Sequence, residues 1–124
     1  IIMVHVFDHL LNPQNTLIEL NKKLKKNGII FLVTHSTDSL LRFLFNTKWP
    51  PFCLHHPQLY NRKSMKTVFN LSKFSNIEIF STFNYFKLST YLNGFLSLIN
   101  IKSNFDFGPL IKLPLGNIAS IGRK

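Results

Sequence analysis

Short apolar runs alternate along the chain with segments whose apolar residues recur every three or four positions, a pattern that predicts strands and helices in turn. Ile1-Ile2-Met3-Val4-His5-Val6-Phe7 is β-branched and almost wholly apolar, as a buried strand is. Asn12 then stands at an N-cap position with Pro13 at the first helical position, and Leu17, Leu20 and Leu24 follow at helical spacing towards Asn27-Gly28, which closes the helix. Ile29-Ile30-Phe31-Leu32-Val33-Thr34 is unbroken, too short for a typical helix and followed by polar residues, so it reads as a central parallel strand. Strand, helix and strand in this order make a βαβ unit.

The second half of the pattern is less regular. Ser36 or Asp38 is placed to cap a short helix through Leu40, Leu41, Phe43 and Leu44, which the rigid stretch Trp49-Pro50-Pro51-Phe52 ends. Asn61 is placed to cap another carrying Met65, Val68, Phe69 and Leu71, and Ile77-Glu78-Ile79-Phe80-Ser81 alternates as a strand does. Leu88, Tyr91, Leu92, Phe95, Leu96 and Ile99 give an amphipathic helix, and Gly116 to Ile121 a final strand after the proline-punctuated approach Pro109 to Pro114.

At 124 residues and 45% hydrophobic content the chain builds one folded core at most. It opens on Ile1 with no basic leader, which reads as a fragment without a signal peptide, and no apolar run reaches the roughly 18 residues that cross a bilayer. The only cysteine, Cys53, allows neither an intrachain disulfide nor a multi-cysteine zinc site and fits a reducing cytoplasm. The net charge of +10 is of a kind that attracts nucleic acid, anionic lipid or an acidic substrate. A richness in Lys, Asn, Ile and Phe, whose codons are rich in A and T, accounts for the same excess as base composition. Lys22, Lys23, Lys25 and Lys26 complement a helix C-terminus as a solvated face.

His5-Val6-Phe7-Asp8-His9-Leu10 followed by Asn12-Pro13 is similar to the H-V-L-E-H-L-x-D-P segment that ends the fourth strand in many class I S-adenosylmethionine-dependent methyltransferases, with Asp for Glu and Asn for Asp. Leu24-Lys25-Lys26-Asn27-Gly28 resembles the family's L-K-P-G-G turn. Trp49-Pro50-Pro51-Phe52, His56-Pro57-Gln58-Leu59-Tyr60 and Arg62-Lys63-Ser64-Met65 resemble the W-P-x-F, P-x-H-L-Y and R-K-S-L series of one subgroup, where they cover the substrate side. Leu113 to Ile118 resembles its last strand. The resemblance spans residues 1–124 as a single partial domain. It implies an α/β fold, a partial Rossmann-like three-layer sandwich holding strands four to seven of a seven-stranded sheet. The glycine-rich loop that follows the first strand of the family has no counterpart here.

The resemblance also implies the chemistry. S-adenosylmethionine is the cofactor, with Val6 and Phe7 at the lip of its crevice, and the acceptor is a small molecule, glycan or lipid precursor. Methyl transfer needs alignment of donor and acceptor and sometimes a general base. His9, with Asp8, is the first choice for that base, against the alternative that both only hydrogen-bond the neighbouring turn. His35, His55, His56 and Tyr60 are candidates for the acceptor pocket, whereas His5 reads as a core or edge histidine and Trp49 and Phe52 as packing. Adjacent His55 and His56 project in different directions, so no metal site is expected. Cys53 lacks a nucleophile elbow, and no G-x-S-x-G motif is present. As this fragment, little or no activity is expected. The competing reading is a basic α/β module for an anionic membrane surface or nucleic acid. No recognised nucleic-acid module supports that partner, while Lys87 and Lys102 flank the helix from Leu88 to Ile99 and allow peripheral contact with lipid.

Overall fold

The structure is a computed structural model describing residues 1–124, with Leu98 described by its backbone alone. The chain divides into two compact units, Ile1–Thr82 with Leu115–Lys124, and Phe83–Pro114.

The first unit holds a four-stranded sheet in the order β1-β2-β6-β3. Its strands are β1 (Ile2–Val4), β2 (Ile29–His35), β3 (Ser75–Ser81) and β6 (Asn117–Arg123). β1 runs parallel to β2, with Val4 opposite Val33, and β6 runs antiparallel to both β2 and β3. The unbroken apolar run of β2 is thus an interior strand, parallel on one side only. α1 (Pro13–Lys23) and α3 (Arg62–Leu71) bury Leu17, Met65 and Phe69 against Ile30 and Leu32 of β2 and Ile118 of β6, which share one sheet face. The opposite face, with Phe31, Val33 and Ile121, is only half-buried. α1 and α3 supply the helical layer on that face, as a partial Rossmann-like α/β fold requires.

Two local features depart from the sequence pattern. β1 stops at Val4 because His5 adopts φ of 50°, and Phe7–His9 coil into a 3-10 turn. A non-glycine residue in this left-handed region costs about 1–2 kcal/mol, which its surroundings offset: the His5 amide donates to Val33 O at 2.9 Å. Among the described residues β1 pairs with β2 alone, which leaves Ile2 74% and Val4 52% exposed where a buried strand was expected.

The helix caps also differ. Asn12 makes no side-chain cap, so α1 begins on Pro13 alone, and it ends before the expected Asn27-Gly28, at Leu24, whose backbone turns extended while its amide donates to Leu20 O. Ser39, not Ser36 or Asp38, caps α2 (Leu40–Phe45) by accepting from Arg42 N, while Asp38 accepts instead from Arg62 N at the start of α3. Asn61 caps α3 as its sequence predicts, in a reciprocal box with Ser64. At the entry to β6, Gly116 takes φ of 95° with Ser39 Cβ 2.4 Å from where its own Cβ would lie, so only glycine fits.

The second unit pairs β4 (Asn84–Lys87) antiparallel with β5 (Leu110–Leu113), and α4 (Leu88–Leu98) follows β4 directly. This sheet was hidden in the sequence by the prolines at 109 and 114. Tyr91 of α4 donates to Ile111 O at 3.3 Å, and Lys112 lies 4.3 Å above the Phe83 ring. The apolar stripe of α4 stays largely in solvent, with Phe95 58% exposed. Among the described residues, no helix is long and apolar enough to cross a membrane.

Candidate functional site

Two parallel strands end side by side, and the polar residues that follow them converge. Beyond β1 come His5, Asp8 and His9, and β2 closes on His35. The carboxyl edge of a parallel sheet is where open α/β folds bind ligands, because the loops leaving the strands form a crevice there. Asp8 is fully buried, and its Oδ2 accepts from the His35 ring Nδ1 at 2.7 Å and from the His35 amide at 3.4 Å. Burial works against the charged carboxylate, but the bonds from His35 outweigh it and hold Asp8 below its ordinary value. The other oxygen, Oδ1, has no hydrogen-bond partner among the described residues.

Imidazoles extend from this pair. The His5 and His35 ring centres lie 4.7 Å apart, those of His35 and His56 4.8 Å, and those of His56 and His9 4.6 Å. Burial, and then the neighbouring His35, depress the basicity of His5 and of His56. A carbonyl oxygen only accepts, so the 2.6 Å contact between His9 Nδ1 and His55 O puts the His9 ring proton on Nδ1 and leaves Nε2 with a free lone pair. The same reasoning, applied to the Asp8 carboxylate, leaves Nε2 of neutral His35 bare. His56 Nδ1 lies 3.2 Å from Pro51 O and 3.1 Å from Cys53 Sγ, which ties the loop at 51–56 to the cluster. Trp49, 2% exposed, meets His35 and Phe52 edge-on, in the packing role expected of it.

The residues singled out from the sequence fall into distinct places. His9, His35 and His56 come together. His55 takes part through its carbonyl, its side chain being exposed. Phe7, expected at the cofactor lip, is fully buried and stacks on Tyr60 at 5.2 Å inside the core, while Val6 beside it is 45% exposed. Tyr60 is itself 5% exposed, and burial, with Asp8 adding to it, pushes its phenol far above the ordinary range. It borders a separate cleft of about 350 Å³ lined by Leu11, Asn12, Pro13 and Gln58 among others. Asp8, expected to act on an acceptor, is sealed beneath His35 and orients it. His5, read from the sequence as a core or edge histidine, belongs to the cluster. The signal that locates it is its place after β1, opposite a histidine-ended β2.

The sequence model of a methyltransferase domain matches residues 1–79. No curated protein matches the chain. Among solved structures, a SAM-dependent methyltransferase from Thermotoga maritima, named a possible histamine N-methyltransferase, superposes with a TM-score of 0.62 at 13% identity, over 99% of this chain and 54% of its own. A SAM-dependent methyltransferase from Archaeoglobus fulgidus does so with a TM-score of 0.61 at 16% identity, over 99% of this chain and 57% of its own. At such identities the likeness establishes the fold, and the chain spans little more than half the length of these structures.

Proposed function

Because the chain belongs to the methyltransferase domain family, we propose that it is the acceptor-side half of an S-adenosylmethionine-dependent methyltransferase acting on a small molecule, glycan or lipid precursor. The observation that carries this reading is the imidazole cluster at the paired carboxyl ends of β1 and β2, where this fold opens its ligand crevice.

S-adenosylmethionine supplies an activated methyl group on a sulfonium. Of the two residues expected to touch it, half-exposed Val6 fits as an apolar contact, and Phe7, enclosed in the core, does not. The loop from β1 to α1 contains no glycine, so nothing in it lets backbone approach a nucleotide closely. This chain's contribution to cofactor binding is accordingly small, and its main part concerns the acceptor.

His9 is the group suited to take a proton from that acceptor. It is exposed, and its Nδ1 is tied to the His55 carbonyl, so the ring presents Nε2 in the neutral form as a base. His35, held by Asp8, offers a second bare nitrogen to orient a hydroxyl or amine. The loop bearing Trp49, Cys53 and His56 walls one side of this space.

The test is methyl transfer from labelled S-adenosylmethionine by a version extended upstream, assayed against hydroxylated and amine acceptors, with and without His9→Ala. Loss of a general base costs about 10²–10⁴ in turnover. The expected result is a fall of this size with cofactor affinity unchanged. Unaltered turnover removes His9 as the base, and absence of transfer to every acceptor class removes the activity.

A further inference from the structure

Two buried polar atoms in the cluster are left without partners: Asp8 Oδ1 and His5 Nδ1. Such atoms cost about 1–3 kcal/mol each when nothing satisfies them. They belong to two members of one group, for a donor atom from each of His5, Asp8 and His35 lies within 4.8 Å of the others. Tetrahedral coordination at about 2.0–2.2 Å places donors about 3.4 Å apart, so side-chain rotations of roughly an ångström close the set on one ion, which replaces the proton between His35 Nδ1 and Asp8 and releases it to solvent. The framework around it is fixed. His5 is pinned to β2 through its amide, and the Asp8 carbonyl accepts from Gln58 N at 3.3 Å.

We infer that His5, Asp8 and His35 form a binding site for one divalent transition-metal ion of the zinc type. Two imidazoles and one carboxylate are a donor set suited to zinc, cobalt or nickel, whereas calcium and magnesium require more oxygen ligands. Three protein ligands leave a position open to water or to an acceptor oxygen, as in sites of two histidines and one carboxylate. The His56 ring centre lies 4.8 Å from that of His35, beside this donor set. The strained backbone of His5 acquires a purpose here: φ of 50° turns the chain out of β1 and brings this side chain beside His35. The site stands whether or not a methyl group is transferred beside it.

The test titrates zinc chloride into the full chain by calorimetry and cobalt chloride by visible absorption. Wild type is expected to bind one equivalent of either, with the intense absorption of low-coordinate cobalt. His5→Gln and His35→Gln should each weaken binding at least tenfold, while Asp106→Asn, an exposed carboxylate elsewhere, leaves it unchanged. If the variants do not fold, imidazole nitrogen shifts of the wild-type chain decide. One equivalent of zinc is expected to shift the ring nitrogens of His5 and His35 and not those of His55. Absence of binding, equal binding by the variants, or shifts confined to His9, His55 and His56 would overturn the assignment.

Discussion

Removing the His35 ring tests the buried pair at the centre of the site, because Asp8 would then keep only the long contact from the His35 backbone amide. Asp8 is fully buried, and both contacts to its Oδ2, at 2.7 and 3.4 Å, come from His35. His35→Ala deletes the shorter, from the ring, and keeps the longer, from the backbone amide, which leaves a poorly partnered carboxylate in a poorly solvated site. Uncompensated buried charges cost about 3–5 kcal/mol. Asp8→Ala costs less, since the imidazole it abandons is partly exposed: about 1.5–3 kcal/mol for a hydrogen bond to a charged group, offset by the desolvation no longer incurred. The double variant should therefore be more stable than His35→Ala alone. The pH dependence changes sign as well. In the wild type the Asp8 value is depressed, so its contribution is present above the ordinary value of 3.8 and is lost as pH falls through the lower folded value. In His35→Ala the ring's hydrogen bond and charge are gone, and burial, the largest influence, is opposed only by backbone hydrogen bonds and raises the value, so the variant should regain stability on acidification from about pH 7 to 5. Urea denaturation of the four proteins at both pH values measures this. Additive losses, or a His35→Ala penalty under about 1 kcal/mol that does not change with pH, would refute the coupling.

Other substitutions probe the frame that holds the site. A Cβ at Gly122 would lie 2.5 Å from two ring atoms of fully buried Phe69, so Gly122→Ala should destabilise by about 1–3 kcal/mol, read from the denaturation midpoint; a neutral effect would mean the ring moves freely. Asn61→Ala removes the 2.7 Å bond that Ser64 N donates to Asn61 Oδ1, while the backbone amide of residue 61 still donates to Ser64 Oγ, and should cost about 1 kcal/mol by the same measurement, whereas Asn12→Ala, which removes no cap bond, should cost much less.

How far the sequence reveals this molecule depends on whether the determining interactions are local. α1, β2 and α3 are legible because proline at a helix start, an unbroken β-branched run and an Asn-x-x-Ser cap act within a few residues. β4 and β5 are not, since Asn84–Lys87 gains its partner from Leu110–Leu113 across a helix, and neither segment alternates cleanly.

The site shows the same division. His9 and His35 stand out because each follows a predicted strand end. That Asp8 serves His35 across 27 positions depends on the parallel register that puts Val4 opposite Val33, which no local pattern encodes. Tyr60 and Phe7 looked available as aromatic residues in motif-like segments. Their burial follows from how the segment after α2 packs against the core, with Ser36 and Tyr60 joined in an isolated parallel bridge. The His5 conformation is the least legible of all, because a left-handed histidine is disfavoured locally and is sustained only by its tertiary contacts.

The measurement that bears most directly on the central claim is titration of S-adenosylmethionine into a version extended upstream, followed through backbone amide shifts. Perturbations grouped at Val6, His9 and His35, at the carboxyl ends of β1 and β2, are the predicted result. Saturable binding that shifts only residues around the cleft at Asn12 and Gln58, or no binding at all, would contradict the account.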